Sequence, residues 1–397
     1  MNKPAIEGGI PVRETKIFYG HQYIDEDDIR AVVDVLRSDY LTCGPKITEL
    51  EQKLCKVTGA KYAVVCSNGT AALHIAALAA GVGEGDEVIT TPITFAASAN
   101  CALYCGARPV FADINPETYN IDPEKVEAAI TPRTKAVVAV SYTGQSVELE
   151  PLKKICEENN LTLIEDGAHV IGTKYKGQPN GSVADMTTFS FHPVKTVTGG
   201  EGGAVLTNDE SLYKKLLLYR SHGITRDAEQ MEHESDGPWY YEQIALGYNY
   251  RMTDMQAALI ISQLDKLEMF SKRRKEIVAK YNEAFSKLPG IFVQKEIPES
   301  DTTRHLYILR IVPEKLTINR RQFFDALGAE NVCCNVHYIP TYYFPYYEKL
   351  GYHRGLCPNA EKLYDEIISL PLYYAMSDKD VENVIEAVTK IATYYAI

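Results

Sequence analysis

The sequence lacks most of what would mark a membrane, metal or nucleic-acid protein. No apolar run approaches the roughly 18 residues that a membrane-spanning helix needs. Met1 to Lys16 carries proline, glycine and charges but no hydrophobic signal core, so a cytoplasmic protein is the expectation. Basic residues are in deficit, 41 Lys and Arg against 53 Asp and Glu, for a net charge of −12. Nucleic acids and anionic membranes are held by clustered Lys and Arg, and this balance argues against either as the main partner. Structural zinc wants two closely spaced ligand pairs, and the nine cysteines contain no CxxC, so no metal is expected. Several cysteines sit in apolar stretches, such as Cys66 after Tyr62-Ala-Val-Val, where a reduced thiol is a small buried hydrophobe. The compartment reads as reducing. Nucleotide-binding glycine loops are missing as well. No Gly-Lys-Ser/Thr follows Ser67-Asn68-Gly69-Thr70, and Thr198-Gly-Gly-Glu-Gly-Gly203 lacks GxGxxG spacing and leads into a strand.

What is present is an ordinary globular composition, with 45% hydrophobic and 24% charged residues. A chain of 397 residues can bury a large core without staples and has room for two or three domains. From Lys61 to Leu206 short β-rich runs alternate with helical patterns. Strands are expected at Lys61–Cys66, Glu87–Thr90, Pro109–Ala112, Lys135–Tyr142, Leu161–Glu165, Met186–Phe191 and Gly203–Thr207. Apolar strands alternating with helices imply an α/β fold with a mostly parallel sheet covered on both faces. Ligands in such sheets gather at the carboxyl ends of the strands.

After Thr253 the texture changes. Asp254 to about Ser286 is one long amphipathic helical pattern, followed by a strand at Leu306–Val312 and helices near Arg320–Leu327 and Asp378–Tyr394. This reads as a second, smaller α+β domain. Asp227–Gly237 is acidic and helix-poor, an exposed loop.

Three constellations carry chemistry. Ser67-Asn68-Gly69-Thr70 joins a strand to a helix, where Gly69 allows a tight turn and free N–H groups form an anion site. A plain capped turn would look the same. Asp166 ends an apolar strand in Leu161-Thr-Leu-Ile-Glu165-Asp166-Gly-Ala-His169; it either caps the next turn or pairs with a bound heterocyclic cation. Lys195 follows the strand that ends in Ser190-Phe-His-Pro-Val-Lys195. Partial burial there would lower its pKa and free a nucleophilic amine, although most lysines are simply solvated. In combination the three meet the needs of pyridoxal phosphate: an anchor for the phosphate, an acid on the ring nitrogen and a lysine amine.

The strings Gly181-Ser-Val-Ala-Asp-Met-Thr-Thr-Phe-Ser-Phe-His-Pro-Val-Lys195 and Thr198-Gly-Gly-Glu-Gly-Gly-Ala-Val-Leu-Thr-Asn208 resemble those of the DegT/DnrJ/EryC1/StrS sugar-nucleotide aminotransferases. Gly44-Pro45, Thr70-Ala-Ala-Leu73, Ser221-His-Gly223, Gly247-Tyr-Asn-Tyr-Arg-Met-Thr-Asp254, His337-Tyr-Ile-Pro340 and Ser369-Leu-Pro-Leu-Tyr373 extend the resemblance over nearly the whole chain. It implies a fold type I transferase like aspartate aminotransferase, with a seven-stranded sheet. An N-terminal arm would span 1–24, a large cofactor-binding domain 25–255 and a small C-terminal domain 256–397.

The resemblance also implies roles. Lys195 is the Schiff-base lysine; Ser190, Gly69 and Thr70 hold the cofactor phosphate. Asp166 keeps the pyridine nitrogen protonated, Phe95 stacks on the ring, and His169 stands where relatives often have Gln against the ring oxygen. Asn249 reaches the phosphate of a neighbouring subunit, which makes a homodimer with shared sites. Tyr19, Tyr40, Thr42, His337 and Tyr338 line the nucleotide-sugar pocket, and Arg251 contacts phosphate or forms a structural ion pair. Some relatives that dehydrate sugars have His in place of the lysine; with Lys195 intact, transamination is expected, with glutamate as donor. Tyr40-Leu-Thr-Cys-Gly-Pro45, Tyr240-Tyr-Glu-Gln243 and Val336-His-Tyr-Ile-Pro340 narrow the resemblance to members that aminate C4 of a 4-keto-6-deoxy UDP-sugar. A sister enzyme acting at C3 or C4 of another nucleotide sugar would share the core motifs. A cofactor-binding sensor without turnover would not need the proton-transfer lysine and the ring acid together.

Overall fold

The computed structural model describes residues 3–397. Seven strands form one sheet: β1 Tyr62–Cys66, β2 Glu87–Thr90, β3 Arg108–Phe111, β4 Thr134–Val140, β5 Thr162–Asp166, β6 Met186–Ser190 and β7 Gly203–Thr207. Their order across the sheet is β1-β7-β6-β5-β4-β2-β3. β7 is antiparallel to both neighbours, and the five strands from β6 to β3 are parallel. The expected mainly parallel α/β sheet is present. Ala136, Val137, Val138 and Ala139 of β4 and Leu163 and Ile164 of β5 are fully buried, as a sheet covered on both faces requires.

Helix α1 spans Glu26–Leu36, α2 Pro45–Thr58, α3 Gly69–Ala79 and α4 Ala97–Tyr104. α3 is buried on nearly every side, and its run of Ala71, Ala72, Ala76, Ala77 and Ala79 lets it lie close to the sheet. Alanine loses least on entering a helix, so the same residues that allow close approach also favour the element.

The expected single helix from Asp254 to about Ser286 is two: α5 Asp254–Asp265 and α6 Leu267–Phe285, broken at Lys266 with φ −99° and ψ 0°. The break has a packing cause. Ala257, Ile260 and Leu264 of α5 join the core beneath the large sheet, whereas Ile277, Val278, Tyr281 and Phe285 of α6 join a second core. One straight helix could not serve both. At the bend the Lys266 ammonium pairs with Asp28 at 2.8 Å.

The second core covers a three-stranded antiparallel sheet, in the order β8 Ile291–Val293, β9 Tyr307–Ile311 and β10 Ile367–Leu370, backed by α6 and by α7 Asp378–Tyr394. β8 and β10 are not among the strands expected from the sequence. A cluster of Ile93, Tyr119 and Tyr142 with Leu306, Ile308 and Tyr342 joins the two sheets, and so fixes the His337–Tyr338 segment over the carboxyl ends of β4 and β5. Asp227–Gly237 holds neither helix nor strand; the buried Glu242 carboxylate ties it down through the N–H groups of Glu232 and His233 at 2.6 and 2.9 Å. All nine cysteines are free thiols. Among the described residues no helix is long and apolar enough to cross a membrane.

Candidate active site

The carboxyl ends of β1, β4, β5 and β6 open into a cavity of about 1180 Å³. Its floor begins at the turn after β1. Asn68 caps α3, its side chain accepting the N–H of Ala71 at 2.8 Å and its carbonyl that of Ala72 at 3.1 Å. The N–H groups of Gly69 and Thr70 lie in the first turn, where no intrahelical acceptor exists. Ser190, at the end of β6, faces them. A Cβ on Gly69 would fall 2.9 Å from Ser190 Cβ and 3.1 Å from its Oγ, so only glycine leaves this cradle open.

Asp166 ends β5 and is buried. Its Oδ2 accepts from the Ser98 hydroxyl at 2.6 Å and its Oδ1 from the Ala168 N–H at 3.1 Å. Burial raises its pKa, against the pull of those two donors and of Lys195. Glu165, one residue earlier, points to the other face of the sheet, as strand alternation demands. There Ser141 and Asn180 each donate at 2.6 Å and Thr187 at 3.1 Å, so Glu165 is a satisfied structural acid. Only Asp166 serves the cavity.

Lys195 lies in a compact turn after β6. The Phe191 N–H donates to Gly202 O at 2.8 Å, Gly199 N–H to Phe191 O at 2.9 Å, and Lys195 N–H to His192 O at 2.9 Å. Burial lowers the Lys195 amine to about 8, while the Asp166 charge acts in the opposite sense. At neutral pH a usable fraction of this amine is therefore unprotonated, which is what a nucleophilic lysine needs.

His169 closes the same wall, with Nε2 3.3 Å from the Tyr338 hydroxyl. His337 bonds through Nδ1 to Ser369 Oγ at 2.8 Å, its ring 5.2 Å from that of Tyr19. Burial, with Lys195 adding to it, lowers His337 to about 4. Phe95 stands over the cavity with 63% of its surface exposed.

Tyr19, Gly69, Thr70, Phe95, Asp166, His169, Ser190, Lys195, His337 and Tyr338 thus line one cavity. Tyr40, Thr42, Asn249 and Arg251 do not. Thr42 bridges to Thr253, the Asp254 N–H donates to Leu41 O at 3.0 Å, and Asn249 bridges to Ser221. Tyr40, Thr42 and Asn249 are exposed and Arg251 is half-buried. His192 is exposed on the cavity rim. Sequence reasoning missed Ser98, His74, Tyr248 and Tyr250, which also line the cavity. For Ser98 a signal existed, since it lies one helical turn after Thr94 in the same string as Phe95, and the two hydroxyls meet at 2.7 Å.

An open anion cradle, a buried acid short of a cationic partner and a lysine of lowered pKa fit pyridoxal phosphate. Fold and site define a pyridoxal phosphate-dependent aminotransferase. The chain belongs to the DegT/DnrJ/EryC1/StrS aminotransferase family, whose model matches residues 22–389. It is 42% identical over 375 residues to the spore coat polysaccharide biosynthesis protein SpsC of Bacillus subtilis, covering 94% of this chain and 96% of that protein. It is 39% identical over 371 residues to the UDP-4-amino-4,6-dideoxy-N-acetyl-beta-L-altrosamine transaminase of Campylobacter jejuni subsp. jejuni serotype O:23/36, covering 93% and 95%. The structure of Helicobacter pylori PseC, an aminotransferase involved in the biosynthesis of pseudoaminic acid, superposes with a TM-score of 0.89 at 32% identity, covering 96% of this chain and all of that one. The protein is a pyridoxal phosphate-dependent sugar aminotransferase that acts on nucleotide sugars.

Proposed function

We propose that the protein transfers the amino group of glutamate to C4 of a UDP-4-keto-6-deoxy-N-acetylamino sugar. The product would be UDP-4-amino-4,6-dideoxy-N-acetyl-beta-L-altrosamine, an intermediate of pseudaminic acid biosynthesis. The observation that carries the reading is Lys195 in one cavity with Asp166 and the Gly69–Ser190 cradle. The Campylobacter and Helicobacter relatives support the choice of sugar.

When bound, pyridoxal phosphate supplies an aldehyde that carries the amino group and a ring that spreads the negative charge of the reacting carbon. Gly69, Thr70 and Ser190 would hold its phosphate through two N–H groups and a hydroxyl. Asp166 would hold a proton on the ring nitrogen. Phe95 would cover one face of the ring, and His169 would donate to the ring oxygen. The Lys195 amine would yield its place to the amino group of glutamate and would carry the proton from the donor's Cα to the carbon of the cofactor's aldehyde. Water then releases 2-oxoglutarate. The sugar ketone then enters, and Lys195 moves protons in the reverse order. Tyr19, His337 and Tyr338 contact the sugar, and binding of the distant UDP orients C4.

The enzyme works in the cytoplasm as a homodimer. Asn249 reaches the phosphate in the second subunit's site, and Tyr40, Thr42 and Arg251 meet the nucleotide sugar there. This accounts for why all four stand outside the cavity of their own chain. The 42% identity to SpsC favours a second reading, amination at C3 or C4 of another nucleotide sugar. Mass spectrometry of products from a panel of keto UDP-sugars with glutamate separates the two. The altrosamine-type ketone should be aminated fastest; its failure, beside good turnover of another ketone, rejects the first choice.

A further inference from the structure

His169 has a second neighbour that the proposed chemistry does not use. The ring of His305 lies 4.4 Å from that of His169 between centroids, tilted by 44°. Both residues are buried, and the Nδ1 atoms of both have no hydrogen-bond partner. An apolar side chain would fill this space without leaving a nitrogen orphaned.

The backbone goes to some length to put an imidazole there. The His305 N–H donates to Thr143 O at 2.8 Å, and Arg274 Nη1 donates to His305 O at 3.2 Å. Gly144 makes room, since a Cβ on it would fall 2.6 Å from His305 N. Arg304, just before, adopts φ +49°, a left-handed conformation held by its bonds to Gln294 and Glu296. The groups around the two rings are Lys195, His337, Arg274 and Tyr338, of which three are cationic when protonated and none is a carboxylate. Burial, reinforced by these cations, pushes both imidazoles well below their ordinary range, so both are neutral.

A neutral imidazole has one N–H and one lone pair, and a buried N–H left without an acceptor is rare. One hydrogen bond between the two Nδ1 atoms would satisfy both orphans. We propose that His305 is a positioning residue. Its Nδ1–H donates to Nδ1 of His169 and so locks the proton of His169 on Nε2, the atom that faces Tyr338 and the cavity. His169 then always presents a donor, as the amide of a Gln would. The kinetic consequence rests on the reading that His169 meets the cofactor's ring oxygen; the imidazole pair itself does not.

The test is NMR of the cofactor-free protein carrying isotope-labelled histidine, with His169 assigned by its loss in His169→Gln. The native protein should show the proton of His169 on Nε2. His305→Phe should give mixed tautomers and a kcat roughly three- to tenfold lower, with KM for the donor little changed. His305→Asn places its amide nitrogen near the lost Nδ1 and should restore both, whereas His305→Gln should not. An Nε2-protonated His169 and an unchanged kcat in His305→Phe overturn the proposal. If that variant fails to fold, equal behaviour of the Asn and Gln variants overturns it. A shifted tautomer with unchanged kcat keeps the imidazole pair and removes His169 from the chemistry, a failure of the functional reading instead.

Discussion

The Ser98 hydroxyl donates to Oδ2 of Asp166 at 2.6 Å, and 68 residues of chain separate the two. The bond is the main brake on the rise in the Asp166 pKa that burial causes. Ser98 thereby helps keep the acid ionised and able to hold a proton on a bound heterocycle.

Ser98→Ala should raise the Asp166 pKa further, because the lost donor favoured the charged form. The acid limb of the pH–rate profile then moves to higher pH. Hydrogen bonds to charged groups contribute about 1.5–3 kcal/mol, so cofactor affinity should fall on the order of tenfold to a hundredfold. Titration of the cofactor-free variant with pyridoxal phosphate measures it. An unchanged acid limb would detach Ser98 from the function of Asp166.

Gly69→Ala tests the cradle. Its φ is an ordinary helical one, so the cost is steric, through the 2.9 Å approach to Ser190 Cβ. Overpacking of this kind costs about 1–3 kcal/mol. Inorganic phosphate and the cofactor should both bind roughly ten times more weakly or worse, while pyridoxal lacking the phosphate is little affected. Equal losses for pyridoxal and its phosphate would place the phosphate elsewhere.

Lys195 makes a prediction about stability with a definite sign. Its folded pKa, about 8, lies below the ordinary 10.5, so between these values the unfolded chain holds more protons. Stability of the cofactor-free protein should rise with pH across that window and be flat in this respect below 8. Lys195→Met removes the term. It should be more stable than the native chain at neutral pH, on the order of 3 kcal/mol, with the advantage vanishing toward pH 10.5. Denaturant melts at several pH values check this, and a constant difference would contradict it.

The shared-site dimer can be tested by mixing inactive chains. On the proposed arrangement, Lys195→Ala and Asn249→Ala would each disable a different half of a composite site. Hybrid dimers of the two hold one intact site, so random mixing should recover about a quarter of native activity. No recovery in confirmed hybrids would return Asn249 to its own chain.

How far the sequence reached depends on what each residue answers to. Asp166, Ser190 and Lys195 are legible because a parallel sheet sends strand ends to one edge, and chain order is enough to place them. Strand alternation also separates Glu165 from Asp166 in advance, although both are acids at one strand end. His305 is not legible, and for Ser98 only the hydroxyl beside Thr94 is, since Asp166 and His169 are brought to them by tertiary contact alone. Lys266 was hidden for another reason: apolar periodicity continues through it, and only the switch from one core to another breaks the helix. Tyr40, Thr42, Asn249 and Arg251 carry family motifs yet stand outside the cavity of their own chain; a motif does not say where in the fold, or in which copy of the chain, its residues come together.

If Lys195 is the amine that bonds the cofactor, borohydride reduction of the holoenzyme followed by peptide mass mapping will show it. The cofactor's mass is expected on the peptide containing Lys195 and on no other lysine, with no fixed mass after incubation with excess glutamate. A tag on a different lysine, or a Lys195→Ala variant that is tagged and turns over normally, would contradict it.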